Sequence, residues 1–322
     1  MSDLLTTGEL LIDFVPDRSG VSLAEAERFL KAAGGAPANV AVGARRLGTD
    51  AAFAGRVGDD PFGRWLGTVL HDAGVDVTQL CFDDAARTAL AFVSLTASGE
   101  RDFAFFRHPS ADMRHRPSDL DLDTVARAKV VHHGSISRIQ EPSRSATEAA
   151  VTTARAAGAT VSYDPNLRLP LWPDARAARQ GILDAWPQAH LIKVSDEELA
   201  FLTGADDDAA ARSLWHDELR LLAVTCGAAG VRWYTPDADG SVAAFDVPVA
   251  DTTGAGDAFV AGLLHAWIEE PGLERDPERL RRALRRANAV AALTTTRPGA
   301  IPALPTAADV DRFLAERTDG RD

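Results

Sequence analysis

The sequence predicts an α/β protein with a mostly parallel central sheet, covered by helices on both faces, and a smaller β-sheet attached to it. From Val130 onward, short β-prone segments alternate with helical ones, which is the pattern of parallel strands joined by helical crossovers. Thr88 to Thr96 and Arg101 to Arg107 form a hairpin around Ala97 to Glu100 with no helix attached, so we expect it outside the main sheet. Glycine-rich or polar loops follow several strands, where such sheets bind ligands.

Composition disfavours several classes of function. The chain has 322 residues, of which 46% are apolar and 25% charged, as in ordinary globular proteins. Its net charge of −13 disfavours a nucleic-acid partner and offers no basic surface to a membrane. No apolar run reaches the about 18 residues of a membrane span. Cys81 and Cys226 form no spacing motif and suggest a reducing compartment, so we expect a cytoplasmic protein.

The N-terminal segment contains the first predicted strand and a carboxylate with two interpretations. Leu4 to Val15 is apolar and β-prone, and Asp13 lies near its end. A buried strand rarely contains a lone carboxylate. Asp13 is therefore either a turn residue before Pro16 or a ligand contact.

A glycine pair precedes the first predicted helix. Gly34-Gly35 forms a flexible turn, Pro37 suits a first helical turn, and Val40 to Leu47 follows at helical spacing. Asn39 lies one turn into this helix and faces the glycine pair. The pattern fits either a plain loop-to-helix junction or a site where backbone groups and an amide contact a polyol. A strand from Ala51 to Val57 and a helix from Arg64 to Ala73 come next.

Strands and helices alternate regularly in the second half of the chain. Strands are predicted at Val130 to Gly134, Thr160 to Tyr163, His190 to Val194 and Leu219 to Thr225, and helices at Pro142 to Ala157 and Ala175 to Trp186. Another helix begins after Ser195, because Glu198 three residues later completes a capping box. The pair His132-His133 has no third ligand at useful spacing, so we expect strand-end histidines and not a metal site.

The most informative stretch is Asp251 to Phe259, Asp-Thr-Thr-Gly-Ala-Gly-Asp-Ala-Phe. A β-rich segment from Ser241 to Val249 precedes it and the apolar run Ala258 to Ile268 follows it, which predicts a strand, a glycine-rich turn and a buried helix beginning near Asp257. The glycines and the free N–H groups of the helix start form an anion site suited to phosphate. Asp257 either caps this helix or takes a proton from a hydroxyl beside the phosphate, which suggests phosphoryl transfer. We expect the backbone donors to hold the pKa of Asp257 low.

Several separate stretches of the chain resemble the sequence motifs of one protein family. They are the 251–259 turn, Gly34-Gly35 with Asn39, and the segments 8–16, 164–173, 193–198 and 299–306. Together they resemble the ribokinase-like (PfkB) carbohydrate kinases over nearly the whole chain, and most closely the bacterial and plant fructokinases. The resemblance implies a single domain, 1–322, with a ribokinase-like three-layer α/β/α architecture and a small β-sheet lid contributed by about 13–33 and 87–112.

The resemblance implies roles for the acceptor-side residues. Asp257 is expected to be the catalytic base, and the turn formed by Gly254, Ala255 and Gly256 is expected to be the anion hole. The residues expected to bind the sugar are Asp13, Gly34, Gly35, Asn39, Arg107, Arg168 and Asp257. The two arginines lie at loops, where an arginine often forms only a surface ion pair.

The resemblance also implies nucleotide and metal sites. The residues expected to bind ATP are Lys193, Ser195, Thr225, Gly227, Gly230, Gly254, Gly256 and Asn288. Glu198 is expected to organise Mg²⁺ through water. Asp251 and Thr253 match part of a monovalent-cation site for K⁺. Two departures bear on these roles: Ser195 replaces the usual Asn, which weakens a metal contact there, and Arg297-Pro298 replaces a frequent Lys, which leaves potassium dependence open.

The expected activity is ATP-dependent phosphorylation of D-fructose to fructose 6-phosphate by a homodimer that pairs through the lid. Kinases of the same fold for 2-keto-3-deoxygluconate, ribose or nucleosides are alternatives, and a non-catalytic sugar-binding regulator is a remote one. Intact glycines and Asp257 disfavour the regulator, because binding alone needs no base.

Overall fold

The computed structural model describes residues 2–18, 20–95 and 101–317. Its strands are β1 Leu4–Thr7, β2 Leu11–Pro16, β3 Phe29–Gly34, β4 Ala51–Gly58, β5 Asp76–Asp83, β6 Leu90–Leu95, β7 Arg101–Phe106, β8 Val130–Gly134, β9 Thr160–Asp164, β10 Leu191–Ser195, β11 Leu221–Thr225, β12 Val231–Tyr234 and β13 Asp239–Val242. Its α-helices are α1 Ala36–Leu47, α2 Pro61–Asp72, α3 Leu122–Arg127, α4 Ser143–Ala156, α5 Ala175–Ala185, α6 Asp196–Thr203, α7 Asp208–Ser213, α8 Ala255–Glu269, α9 Pro277–Thr295 and α10 Ala307–Ala315.

Nine of these strands form the large sheet, in the order β13-β12-β11-β10-β9-β8-β1-β4-β5. Neighbouring strands are parallel except at β12 and β13, which pair antiparallel at one edge. The predicted fold class is confirmed. The strand predicted from Ser241 to Val249 is wrong in its extent, since β13 ends at Val242 and 243–249 has no strand.

The core lies on both faces of the large sheet, because alternate residues of each strand point to opposite sides. Leu4 and Leu191 pack with α1, α2, α8, α9 and α10 on one face. Leu5 and Ile192 pack with α3 to α7 on the other. The carboxyl ends of the parallel strands, and the loops that follow them, are therefore held on a rigid two-sided frame.

The small sheet has four strands in the described part of the chain, in the order β3-β2-β6-β7. The predicted first strand is in fact two strands in two sheets, because the chain leaves the large sheet at Gly8 and pairs again from Leu11. Asp13 pairs with Ala32 on one side and with Ala91 on the other, and Ala91 pairs with Phe105. These residues share one face. The predicted hairpin turn, Ala97 to Glu100, lies outside the described residues.

Among the described residues, no helix has the length and apolar content needed to cross a lipid bilayer.

Candidate active site

A cavity of about 110 Å³ lies between the small sheet and the loop ends of the large sheet. We call it the acceptor cavity. The predicted site residues that line it are Asp13, Gly35, Asn39, Arg107, Arg168, Thr253, Gly254 and Asp257. Glu9 and Asn166 also line it. Residues far apart in the sequence are thus brought together at the edge where an α/β sheet binds ligands.

Asp257 lies in the first turn of α8, with its side chain buried in this cavity. Its Oδ2 accepts a hydrogen bond from Asn39 Nδ2 at 2.7 Å, and its Oδ1 accepts one from Asn166 Nδ2 at 3.1 Å. The N-cap position belongs to Gly254, and no side chain caps the helix. The interpretation of Asp257 as a mere helix cap is therefore wrong. Two side-chain amides fix the carboxylate in place.

Burial raises the pKa of Asp257 to about 6, and Asp164 also raises it, against the lowering effects of the Asn39 hydrogen bond, Arg168 and Lys193. The expectation of a low pKa is wrong. The carboxylate receives its hydrogen bonds from Asn39 and Asn166, and these do not offset the loss of water. An ionised carboxylate with a pKa near neutrality is a stronger base than an ordinary aspartate.

Asp13 projects into the acceptor cavity from the middle of β2, so its interpretation as a turn residue is wrong. A Cβ on Gly34 would lie 2.0 Å from Asp13 Oδ2, so only glycine leaves room for this carboxylate. Burial raises the pKa of Asp13 to about 7; Arg168 lowers it, and Asp257 and Asp251 raise it. Asp13 and Asp257, both with raised pKa values, therefore face the same small cavity.

Replacing Asp13 with Asn is expected to weaken binding of the predicted sugar and to stabilise the ligand-free protein at alkaline pH. The pKa of Asp13 is higher in the folded than in the unfolded chain, so its stabilising contribution is present below about pH 4 and is lost as pH rises through about 7. The melting-temperature gain of the variant should therefore grow from pH 5 to pH 8. Loss of a charged hydrogen-bond acceptor should raise the KM for the predicted sugar by about tenfold or more. A pH-independent difference in melting temperature would contradict this.

Gly35 and Asn39 lie at the start of α1, where Glu9 holds the turn. Glu9 Oε1 accepts the Ala36 N–H at 3.1 Å, and a Cβ on Gly35 would lie 2.3 Å from the Glu9 carbonyl oxygen. Glu9 is 2% exposed, and burial raises its pKa to about 7 although Arg107 lowers it. Glu9 thus joins the connection between β1 and β2 to the connection between β3 and α1.

The two predicted arginines both line the acceptor cavity. Arg107 is 6% exposed and pairs with Asp112, with Nε 3.0 Å from Oδ2, so it is a buried ion pair and not a surface one. Arg168 is half-buried, and its Nη1 donates to the Leu167 carbonyl oxygen at 3.0 Å. Arg168 lowers the pKa values of both Asp13 and Asp257. Arg168 therefore offsets part of the effect of burial on these two carboxylates.

The helix start beside Asp257 is suited to an anion. Gly254 has φ 75°, which favours glycine, and a Cβ there would lie 2.7 Å from Ala300 Cβ. Lys193 is buried, and its Nζ lies 3.1 Å from Asp164 Oδ2 and 3.2 Å from where a Cβ on Gly256 would be. Burial lowers the pKa of Lys193, but Asp164, Glu198 and Asp257 outweigh it and keep the pKa above its ordinary value. The Lys193 ammonium group and the positive end of the α8 dipole would therefore both attract an anion at the start of α8.

The other nucleotide-side residues lie outside the lining of the acceptor cavity. Thr225 ends β11, and its Oγ1 donates to the Val194 carbonyl oxygen at 3.3 Å. The next turn, from Gly227 to Gly230, returns the chain to β12. Asn288 on α9 donates to the Val242 and Ala243 carbonyl oxygens at 3.2 and 3.0 Å. Their contact with ATP stays a prediction.

The predicted capping box at α6 is confirmed: Ser195 Oγ accepts the Glu198 N–H at 3.0 Å, and Glu198 Oε2 accepts the Ser195 N–H at 2.8 Å. Glu198 Oε1 accepts the Leu167 N–H at 2.6 Å, so α6 is tied to the loop after β9. No group of three or more His, Cys, Asp or Glu side chains in the described ranges could hold a metal ion. His132 and His133 are buried within β8.

Asp251 and Thr253 form a compact turn beside α8. Asp251 Oδ1 accepts from Thr253 N and Thr253 Oγ1 at 2.9 and 2.7 Å, and its Oδ2 accepts the Gly299 N–H at 2.8 Å. Asp251 therefore joins the turn before α8 to the segment after α9, where Arg297 and Pro298 lie. This is the position of the predicted K⁺ site.

Sequence reasoning assigned no role to Asn166, Asp164, Glu9 or Asp112. Asp164 is the last residue of β9 and Asn166 lies two residues later, so their position at the end of a parallel strand could have indicated both. Nothing in the sequence indicates the pairing of Asp112 with Arg107. Nor does it indicate that Glu9 caps a helix 27 residues away.

Comparisons with known proteins identify the family to which this chain belongs. The sequence model described as "pfkB family carbohydrate kinase" matches residues 1–307. The chain is 56% identical to "Probable fructokinase-4" of Arabidopsis thaliana, over 97% of this chain and 96% of that protein. A fructokinase from Xylella fastidiosa with bound ATP superposes with a TM-score of 0.88 at 37% identity, over 99% of this chain and 100% of that one.

A fructokinase double mutant from Vibrio cholerae O395, bound to fructose, ADP and potassium ion, superposes with a TM-score of 0.87 at 38% identity, over 98% of each chain. Both the sequence and the structure are thus similar to sugar kinases along almost the entire chain. This protein belongs to the pfkB family of carbohydrate kinases.

Proposed function

We propose that this protein is an ATP-dependent fructokinase, which transfers the γ-phosphoryl group of ATP to the 6-hydroxyl of D-fructose. The observation that carries the proposal is the Asp257 carboxylate, held by Asn39 and Asn166 at the start of α8. Asp257 accepts the proton of the hydroxyl, and that oxygen attacks the γ-phosphorus. Lys193 and the N–H groups of the 254–257 turn stabilise charge on the transferring group.

The proposed metal is Mg²⁺, bound to the phosphates of ATP. The described residues provide no cluster of three ligands, which fits a cation that keeps several waters and binds phosphate. Glu198 would orient it through water, and the ion would neutralise phosphate charge. For K⁺ we propose the turn of Asp251 and Thr253. The free thiols of Cys81 and Cys226 support a reducing, cytoplasmic location.

A panel of sugars with ATP and Mg²⁺, measured by ADP release, tests the function. The panel should contain fructose, ribose, 2-keto-3-deoxygluconate and a nucleoside. We expect the highest kcat/KM for fructose, because Asp13, Asn39 and Arg168 offer closely spaced hydroxyl partners in a small cavity. A clear preference for another acceptor would refute the fructose assignment and leave the kinase activity intact.

The small sheet acts as the lid in this proposal. Its face with Asp13, Ala91 and Phe105 lines the acceptor cavity, so closing it over a bound sugar would exclude water and limit ATP hydrolysis. The residues from 13–33 and 87–112 that contribute to it remain part of the single proposed domain, 1–322.

We further propose a homodimer that pairs through the small sheet. Leu30 on edge strand β3 is 64% exposed and Phe106 on edge strand β7 is 62% exposed, which a stable monomer would leave in water. Light scattering at micromolar concentration should give twice the chain mass of 34.2 kDa. Leu30→Glu should shift the mass toward the monomer, whereas Leu122→Glu, at an exposed leucine of α3, should not. A stable wild-type monomer would count against the dimer.

A further inference from the structure

One stretch of chain leaves the large sheet after β5, forms half of the small sheet, and returns before α3. We call it the β6–β7 segment, 84–113, of which the structure describes 84–95 and 101–113. Four of its residues line the acceptor cavity: Ala91, Val93, Phe105 and Arg107. The position of this segment therefore determines the shape of one wall of the cavity.

Asp83, the last residue of β5, holds both ends of the segment. Its Oδ1 accepts the N–H groups of Ala85 and Ala86 at 2.9 and 3.0 Å, where the segment begins. Its Oδ2 accepts Arg114 Nε at 2.8 Å, directly after the segment ends. The same Oδ2 accepts Arg56 Nη1 from β4 at 3.0 Å, so both ends are joined to each other and to the large sheet. We call these four contacts the Asp83 junction.

Burial and charge strengthen the Asp83 junction. Asp83 is 3% exposed, so little water competes for its oxygens. Desolvation raises the pKa of Asp83, but hydrogen bonds from Arg114 and from two backbone N–H groups outweigh it and lower the pKa to about 2. The carboxylate is therefore ionised at neutral pH, and hydrogen bonds to an ionised group are the strong ones. The Ala111 N–H also donates to the Arg87 carbonyl oxygen at 2.8 Å, which joins the same two ends of the segment.

We infer that Asp83 is a positioning residue for the acceptor, because it holds the β6–β7 segment where that segment completes the acceptor cavity. Asp83 is not among the residues that line the cavity. The inference rests on the proposed function, which assigns this cavity to the sugar. Without the junction the segment would populate other positions, and only molecules with a complete cavity would bind the sugar.

This role predicts a specific kinetic effect. The apparent affinity for the sugar falls with the fraction of molecules that are competent to bind it, whereas a saturating sugar concentration restores the complete cavity. The KM for the sugar should therefore rise more than kcat falls. A residue that only stabilised the fold would not separate the two constants in this way.

The test replaces Arg114 with Met, which frees the returning end of the segment and leaves the contact of Asp83 with Arg56. KM for fructose should rise by about tenfold, the equivalent of one lost charged hydrogen bond. The residues predicted to bind ATP lie outside the segment, so KM for ATP should change by less than about twofold.

Asp83→Asn is the second variant, since its Oδ1 can still accept the two N–H groups at the start of the segment and Arg56 keeps its pair with Asp119. It should raise KM for fructose at least as much as Arg114→Met. The double variant should raise it no further, because both changes break the same junction.

Hydrogen exchange of the sugar-free protein provides a readout that does not depend on catalysis. In Arg114→Met the amides of β6 and β7 should exchange faster by the same factor of about ten, and those of β8 to β11 should not change. Arg45→Met is the matched control. The side chains of Arg45 and Arg114 are both 37% exposed, and Arg45 Nη1 pairs with Asp50 Oδ1 at 2.8 Å at the opposite end of β4. The control should change neither KM nor the exchange of β6 and β7.

The outcomes separate the inference from the proposed function. If the wild-type enzyme phosphorylates fructose but Arg114→Met leaves either KM for fructose or the exchange of β6 and β7 unchanged, the inference is wrong and the fructokinase function stands. Equal increases in both KM values, faster exchange throughout the chain, or the same effects in Arg45→Met would also overturn it. If wild type phosphorylates no sugar, the proposed function fails, whereas faster exchange confined to β6 and β7 would still support the junction.

Discussion

Replacing Asp257 with Asn is expected to lower kcat by about 10²–10⁴-fold, the usual scale for loss of a general base. Asparagine keeps the size of the side chain and removes the charge and the proton acceptor. The other residues of the acceptor cavity remain, so KM for fructose and for ATP should change far less than kcat. Asp174→Asn at the start of α5 is the matched control, because Asn caps a helix about as well as Asp.

The pH profile distinguishes a base from a structural group at this position. Because the pKa of Asp257 is about 6, kcat/KM of the wild-type enzyme should fall as pH drops below about 6 and Asp257 takes up a proton. The residual activity of the Asn variant should lack the part of this decline that is due to Asp257, whereas Asp13, whose pKa is about 7, titrates in both enzymes. A folded variant that keeps more than about a tenth of wild-type kcat, well short of the expected loss, would show that Asp257 is not the base.

Replacing Lys193 with Met is expected to lower both activity and stability. Loss of the ammonium beside the start of α8 removes charge stabilisation of the transferring group, so kcat should fall by about 10²–10³-fold. Asp164 is then buried without its partner, which should cost about 3–5 kcal/mol in the free energy of unfolding. Steady-state kinetics and urea unfolding measure the two effects separately.

A double variant, Lys193→Met with Asp164→Asn, separates catalysis from folding. It removes both charges of the buried pair, so most of the lost stability should return. The Asn side chain keeps the Oδ1 acceptor that the Asn166 N–H uses at 3.0 Å. Because the ammonium is still missing, kcat should stay low. Recovery of kcat together with stability would mean that Lys193 has only a structural role.

The large sheet could be predicted from the sequence because its signals are local. Each strand from β8 to β11 is a short apolar run followed within a few residues by a helix, and the polar loops mark its carboxyl end. The same holds for the 251–257 turn, where glycine spacing and the following apolar run define the start of α8. The position of Asp257 in the first turn of α8 could be predicted because its immediate neighbours in the chain determine it.

Long-range pairing could not be predicted in the same way. The strand from Leu4 to Val15 divides because β2 pairs with β3 and with β6, which the local apolar pattern does not show. The pKa of Asp257 was predicted in the wrong direction for a similar reason. Burial raises this pKa and outweighs the lowering effect of the hydrogen bond from Asn39, and the burial is produced by segments as distant as Asn39, 218 residues away in the chain.

The connections of the small sheet limit how the lid can be exchanged between related proteins. Two separate segments of the chain form the small sheet, one with β2 and β3 and the other with β6 and β7. The pairing of β2 with β6 in the middle of the sheet joins these two segments. Either segment alone would form only a two-stranded ribbon, which is marginally stable at best. The lid therefore cannot be grafted, deleted or exchanged as one cassette, and a chimera with a relative must take both segments from the same parent.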